Sequence, residues 1–229
     1  MPTANDFTSR AVQFIGHKEA DGSHREIIDI YNNIQPLPVG YRVKYSDSWC
    51  AAFVSAVAWL TRIDPFPFEC SCERMIRNAE KLGMWIEDET ITPQTGDIIM
   101  YDWQDAGRGD STGWADHTGI VESVASGVVN VIEGNINDAV GRRRIAVNAR
   151  YIRGYIRPHF EAEKEYFPAY TGAKTYSIVD ALKSLGITSS FSYRKKIAYA
   201  NGIKFYVGTA SQNLLMLNFL QNGILKKPK

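Results

Sequence analysis

Ser48-Trp49-Cys50-Ala51-Ala52-Phe53-Val54-Ser55-Ala56-Val57-Ala58-Trp59-Leu60 places a thiol at the head of an alanine-rich apolar run. Phe53, Val57 and Leu60 recur at helical spacing, and Ser48 is positioned to cap the first turn. The spacing predicts a buried helix with Cys50 in its first turn. Free backbone N–H groups and the helix dipole favour an anion there, which is what a nucleophilic thiol requires.

Upstream of this helix, Asp6–Gly16 and Ser23–Asn32 carry apolar residues at the same spacing, and Gln35-Pro36-Leu37-Pro38-Val39-Gly40 breaks the pattern. Downstream, one more helix is predicted over Glu73–Leu82, after which the period shortens to that of strands. The segments beginning Gly96-Asp97-Ile98, Thr118-Gly119-Ile120, Val128-Val129-Asn130, Arg144-Ile145-Ala146 and Ile152-Arg153-Gly154 are short, β-branched and separated by turn residues. Helices followed by a meander of strands define an α+β domain over residues 1–158. The acidic, aperiodic stretch 159–169 is expected to be a linker. Residues 170–229 hold three short helical patterns, at Ser177–Gly186, Ser192–Asn201 and Thr209–Asn222, and are expected to form a small three-helix module.

Composition narrows the function classes. The chain of 229 residues has 26 basic against 25 acidic residues, a net charge of +1, so no global field marks nucleic acid as a partner. The cluster Arg142, Arg143, Arg144 and the tail Lys226, Lys227, Lys229 are expected to be solvated surface charge. No apolar run approaches the ~20 residues needed to cross a bilayer, and no secretory signal pattern opens the chain. The expectation is a protein with no membrane insertion, either cytosolic or exported by something outside its own sequence. Three cysteines do not suggest a disulfide framework, and Cys70 with Cys72 has no second ligand pair at zinc spacing.

His117 opens a predicted strand directly after the polar loop Gly107–Trp114, a position from which an imidazole can face a cleft while its backbone stays fixed. On the next predicted strand, Glu133 and Asn135 are two residues apart and share a face. A thiol, an imidazole and a polar group to orient the imidazole form the set needed for nucleophilic acyl transfer. Trp49, Trp103 and Trp114 are candidate groove walls for a substrate, and Tyr193, Arg194 and Tyr206 are candidate contacts in the C-terminal module. Arg108-Gly109-Asp110 and the acids Asp102, Asp105 and Asp110 are discounted as an adhesion motif and as a glycosidase pair, because loop positions do not fix the separation that paired acids need.

Ser48-Trp49-Cys50-Ala51-Ala52-Phe53-Val54, Asp116-His117-Thr118-Gly119-Ile120-Val121 and Val131-Ile132-Glu133-Gly134-Asn135 together resemble the signature segments of the CHAP family, papain-like members of the NlpC/P60 superfamily. Gly96-Asp97 is similar to a further family feature. The resemblance implies a papain-like fold, and a cysteine amidase or endopeptidase of peptidoglycan such as occurs in phage endolysins and bacterial autolysins. It makes Cys50 the nucleophile, His117 the base, Glu133 its orienter and Asn135 a further polar helper. It implies peptidoglycan and Gram-positive wall polymers as partners. Some members take calcium on an acidic loop ahead of the nucleophile; only Asp47 stands near Cys50, so no cofactor is expected and calcium is weakly supported. The C-terminal segment more weakly resembles the small wall-binding modules of lysins. Two other readings stay open at this stage: a wall-binding protein with this fold and no turnover, and a cysteine protease acting on proteins.

Overall fold

The computed structural model describes residues 1–104, 113–162 and 165–228. The chain divides into two units, Met1–Ala162 and Glu163–Lys229.

The first unit opens with α1 (Ala4–Val12) and α2 (Arg25–Asn32), followed by α3 (Cys50–Thr61) and α4 (Cys72–Lys81). Thr3 caps α1 through a reciprocal pair with Asp6, the local signal that starts a helix there. α3 is almost wholly buried from Cys50 to Ala58, as its alanine content allows: small side chains let neighbouring elements approach its backbone from several sides. The expected cap Ser48 is one residue too early. Trp49 occupies the cap position and its side chain makes no bond to the helix, which leaves the first-turn N–H groups of α3 uncapped by a side chain.

The strands are β1 (Trp85–Ile86), β2 (Ile98–Tyr101), β3 (His117–Ala125), β4 (Val128–Ile136), β5 (Ala139–Ala146) and β6 (Ile152–Ile156). They form one antiparallel six-stranded sheet in the order β1-β6-β2-β3-β4-β5. The α+β class expected from the sequence is therefore observed. β5 begins at Ala139, well before the predicted Arg144, so the three arginines lie within a strand and alternate between its faces.

One face of the sheet, with Ile98, Met100, Ile120, Ile132 and Ile156, joins the main core under α1 to α4. The other carries a smaller cluster of Ile99, Tyr101, Val121, Val129, Val131, Ile152 and Tyr155. Register fixes which polar residues join that second face. Tyr101 lies opposite His117, Val121 opposite Val131, and Val131 opposite Arg143. His117, Tyr101, Glu133 and Arg143 consequently share one face, because alternation along each strand carries the assignment from one pair to the next.

The second unit contains α5 (Ile178–Ser184), α6 (Phe191–Ala200) and α7 (Ala210–Gln221) around a core that includes Ile178, Leu182, Ile197, Met216 and Leu220. Ser177, Ser190 and Thr209 each cap a helix through a side-chain oxygen, and Gln212 closes a capping box with Thr209. Within residues 159–169, Phe160 packs against the main core of the first unit, and Phe167 is buried in the second. Both aromatic side chains find apolar surface to cover.

Candidate active site

Cys50 is the first residue of α3 and is buried. Its thiol meets three partners: the Cys72 thiol, with the two Sγ atoms 3.6 Å apart, the imidazole of His117 and the backbone N–H of Ala51. The hydrogen bond from Cys72 acts first; with those from His117 and Ala51 and the charge on His117 it holds the Cys50 thiol well below the usual thiol range, against the opposing effect of burial.

His117 Nε2 lies 3.0 Å from Glu133 Oε2, which leaves Nδ1 as the nitrogen that faces the thiol. Burial alone would depress the imidazolium, but hydrogen bonds to Cys50 and Glu133 and their charges outweigh it, and the His117 value is raised to about 9. Both directions favour the thiolate–imidazolium pair over the neutral one.

Glu133 is fully buried. An isolated buried carboxylate would protonate, yet this one has a donor on every side: His117, the Tyr101 hydroxyl at 2.8 Å, and Arg143 Nε at 2.7 and 3.0 Å from its two oxygens. Burial raises its pKa and the bonds from His117 and Arg143 more than reverse that, so it stays ionised. Two glycines make the room. A Cβ at position 119 would stand 2.6 Å from Glu133 Cγ, and one at position 134 would run into Phe53 Cβ, where β4 crosses α3. The glycines of His117-Thr118-Gly119 and Glu133-Gly134-Asn135 are thus required by close approach on opposite faces of the sheet.

The carboxylate that meets His117 is Glu133. The alternation that would put Asn135 beside it is broken by an irregularity between Glu133 and Ile136, and Asn135 takes a left-handed backbone with φ 59°. Asn135 instead lines an open cleft of about 320 Å³ together with Trp103, His117, Ile136, Asn137 and Arg143. Trp103 stacks on Tyr101 with ring centres 4.8 Å apart and tilts over His117 at 6.0 Å. Arg143 lies against both rings, its Cζ 5.2 Å from the Trp103 centre and 5.6 Å from that of Tyr101.

The other expected contacts separate by exposure. Trp114 is exposed, with Arg77 over its ring. Trp49 is fully buried and donates its indole N–H to Glu19, so it has no face to offer a substrate and belongs to the core. Tyr206 is likewise core, its hydroxyl bound to Asn213, while Tyr193 and Arg194 are half-buried on α6. The exposed aromatics of this unit include Phe205, at 88%, Tyr176, Tyr199, Phe191 and Tyr166. Asp47 is engaged in its own turn by Lys44 N–H and the Tyr41 hydroxyl. No group of three or more His, Cys, Asp or Glu side chains that could hold a metal ion is found among the described residues. Asp105, Arg108 and Asp110 lie outside the described residues, and Asp102 accepts the N–H of Gln104 in a local turn. A larger apolar groove of about 1100 Å³, lined by Ile34, Trp59, Phe66 and four prolines among others, contains neither thiol nor imidazole.

Tyr101, Cys72 and Arg143 are functional candidates that the sequence reading passed over. Arg143 was read as surface charge with its neighbours, and Arg142 does sit outside, in a bidentate pair with Glu122 at 2.7 Å. A one-residue step along β5 carries Arg143 to the opposite face and to Glu133. The sequence offers a signal only in retrospect: a buried acid on one strand calls for a cation on its neighbour.

No curated protein matches the chain. Residues 40–135 match the family model of the CHAP domain, and CHAP domains are generally cysteine- and histidine-dependent peptidoglycan hydrolases. The matched segment contains Cys50, His117, Glu133 and Asn135 and ends before Arg143. With its three signature segments brought together at one thiol–imidazole–carboxylate chain, the stretch from residue 40 to 135 is a CHAP domain.

Proposed function

We propose that the chain hydrolyses an amide bond of peptidoglycan, either a peptide bond of the stem or cross-bridge or the bond between muramic acid and L-alanine, with Cys50 as nucleophile. The observation that carries this reading is His117, bonded on one side to a thiol at a helix N-terminus and on the other to a fully buried Glu133. The Cys50 thiolate attacks the amide carbonyl carbon, and the uncapped N–H groups at the start of α3 favour the resulting oxyanion. The His117 imidazolium gives its proton to the departing amine as the C–N bond breaks, leaving a thioester on Cys50. Neutral His117 then takes a proton from water, which attacks the thioester and releases a carboxylic acid and the thiolate. Glu133 keeps the imidazole oriented and the imidazolium favoured throughout. No step calls for a cofactor.

The cleft beside His117, walled by Trp103 and edged by Asn135 and Arg143, suits a sugar ring or an aliphatic peptide stem carrying a carboxylate. The second unit is proposed to hold wall polymers of Gram-positive type. Its support is that this unit exposes Phe205, Tyr199 and Tyr176 together with the cations Lys195, Lys196 and Lys204. A catalytic unit followed by a small binding unit suits a lytic enzyme of the endolysin or autolysin kind.

Purified sacculi from several Gram-positive species, digested with the chain and with Cys50→Ala, test this reading by turbidity and by mass spectrometry of the new termini. New amino groups or lactyl-terminated glycans formed only by the intact thiol support it and name the bond. Wall binding without new termini across the panel would replace it with the non-catalytic reading, and cleavage of casein in preference to sacculi with a general protease.

A further inference from the structure

The sulfur atoms of Cys50 and Cys72 are 3.6 Å apart, within reach of an S–H···S hydrogen bond. Each cysteine is the first residue of its helix, α3 or α4, and each is buried. Helix N-termini favour thiolate at both positions, but two adjacent buried thiolates would repel, so one sulfur must keep its proton. The surroundings decide which. Cys50 faces His117 on β3 and the Ala51 N–H on its own helix. Among the described residues no cation acts on Cys72; it feels the carboxylate of Asp116, and the next residue on α4, Glu73, accepts the Ala115 N–H at 3.5 Å. Behind His117 stand Glu133 and Arg143, whose charges oppose each other. The proton therefore stays on Cys72 and points at Cys50.

We propose that Cys72 is a further catalytic residue, a thiol that donates a hydrogen bond to the Cys50 thiolate and sustains its population at neutral and mildly acid pH. This inference rests on the reading of Cys50 as nucleophile. The directions of both groups agree with it: Cys50 is held low, with the Cys72 hydrogen bond as the leading cause, and Cys72 is pushed well above the usual thiol range by the same bond and by burial. The donor also has a cost. A thiolate stabilised by a hydrogen bond is a weaker nucleophile, so Cys72 exchanges intrinsic reactivity for a larger reactive fraction at low pH.

The test is iodoacetamide labelling of the full chain from about pH 4 to about pH 9, with each cysteine read separately by peptide mapping, in the wild type, Cys72→Ala, Cys72→Val and Cys72→Ser. Circular dichroism and melting select folded variants, and either donor-free variant suffices. In the wild type, the Cys50 labelling midpoint lies below the ordinary thiol value of about 8.5. Without the donor it rises by about one unit. The thiolate population below both midpoints then falls about tenfold while each thiolate becomes about threefold more reactive, so labelling slows about threefold there and quickens about threefold on the alkaline plateau. Cys72→Ser, which keeps a donor, restores most of the wild-type curve. A low wild-type midpoint that neither donor-free variant moves would overturn the proposal and leave Cys50 as nucleophile. A wild-type midpoint in the ordinary range would remove the nucleophile reading itself.

Discussion

Two buried carboxylates of the sheet face arginine, and they serve different ends. Asp97, just before β2, is gripped by Arg157 with N···O distances of 2.9 and 2.7 Å and accepts the Gln94 N–H. Glu133, on β4, is gripped by Arg143 at 2.7 and 3.0 Å but also meets Tyr101 and the imidazole of His117. The first chain of contacts stops at an arginine and a turn, and its charges serve to fix the approach to β2. The second continues through a titratable ring to a thiol. A buried acid is thus not a functional mark by itself; what it polarises decides its role.

That contrast can be broken most severely at the thiol. Cys50→Ala should abolish hydrolysis, by at least about 10⁴-fold, while wall binding and the melting curve stay close to wild type; residual turbidity loss near the wild-type rate would remove the contrast altogether. Glu133→Gln keeps the size and one acceptor but removes the charge that favours the imidazolium. Its kcat on sacculi or soluble muropeptides should fall roughly 10²-fold or more, as for other orienting carboxylates. Arg143→Met leaves Glu133 with Tyr101 and His117 alone and is expected to lower kcat about tenfold with the fold retained. Asp97→Asn should leave kcat per folded molecule unchanged. It should instead lower stability by about 2 kcal/mol, less than a fully buried pair because Arg157 is one-third exposed, and so shift the melting temperature by about 4 to 8 °C. A fall in kcat at Asp97 equal to that at Glu133 would show the two acids to be equivalent.

The rate profile sharpens the same comparison. The His117 value is raised to about 9, so the proton needed by the leaving amine is present below that pH and lost as pH rises through it. The acid limb is set by protonation of the Cys50 thiolate, which is held well below the usual thiol range. The kcat/KM profile should be a bell with its alkaline limb near 9, and removing the Glu133 charge should move that limb down.

Much of this site was legible because its principal members sit at local signals. Cys50 heads an alanine-rich helix, His117 follows a polar loop, and Glu133 precedes a glycine, so short stretches suffice to place each on its element. The same holds for the order of helices before strands, and for the helix starts at Ser177 and Thr209, whose side chains cap them. What escaped was set by contacts distant in sequence. Arg143 reaches Glu133 through the register of β4 and β5, and Tyr101 faces His117 through that of β2 and β3. Cys72 meets Cys50 because two helices begin at the same place in space, which no spacing along the chain encodes. Asn135 left its expected face because a strand irregularity reset the alternation. Trp49 and Tyr206, candidate substrate contacts from the sequence, are core residues with a partner for their polar atom, the usual place of such rings.

The state of the His117 ring bears most directly on the account. A proton and nitrogen NMR titration of the chain's four histidines, with His117 assigned from a His117→Asn spectrum, would follow it without any substrate. The account predicts a His117 ring that stays protonated through neutral pH and titrates near 9. A His117 ring that titrates near the ordinary value of about 6.5 would contradict it.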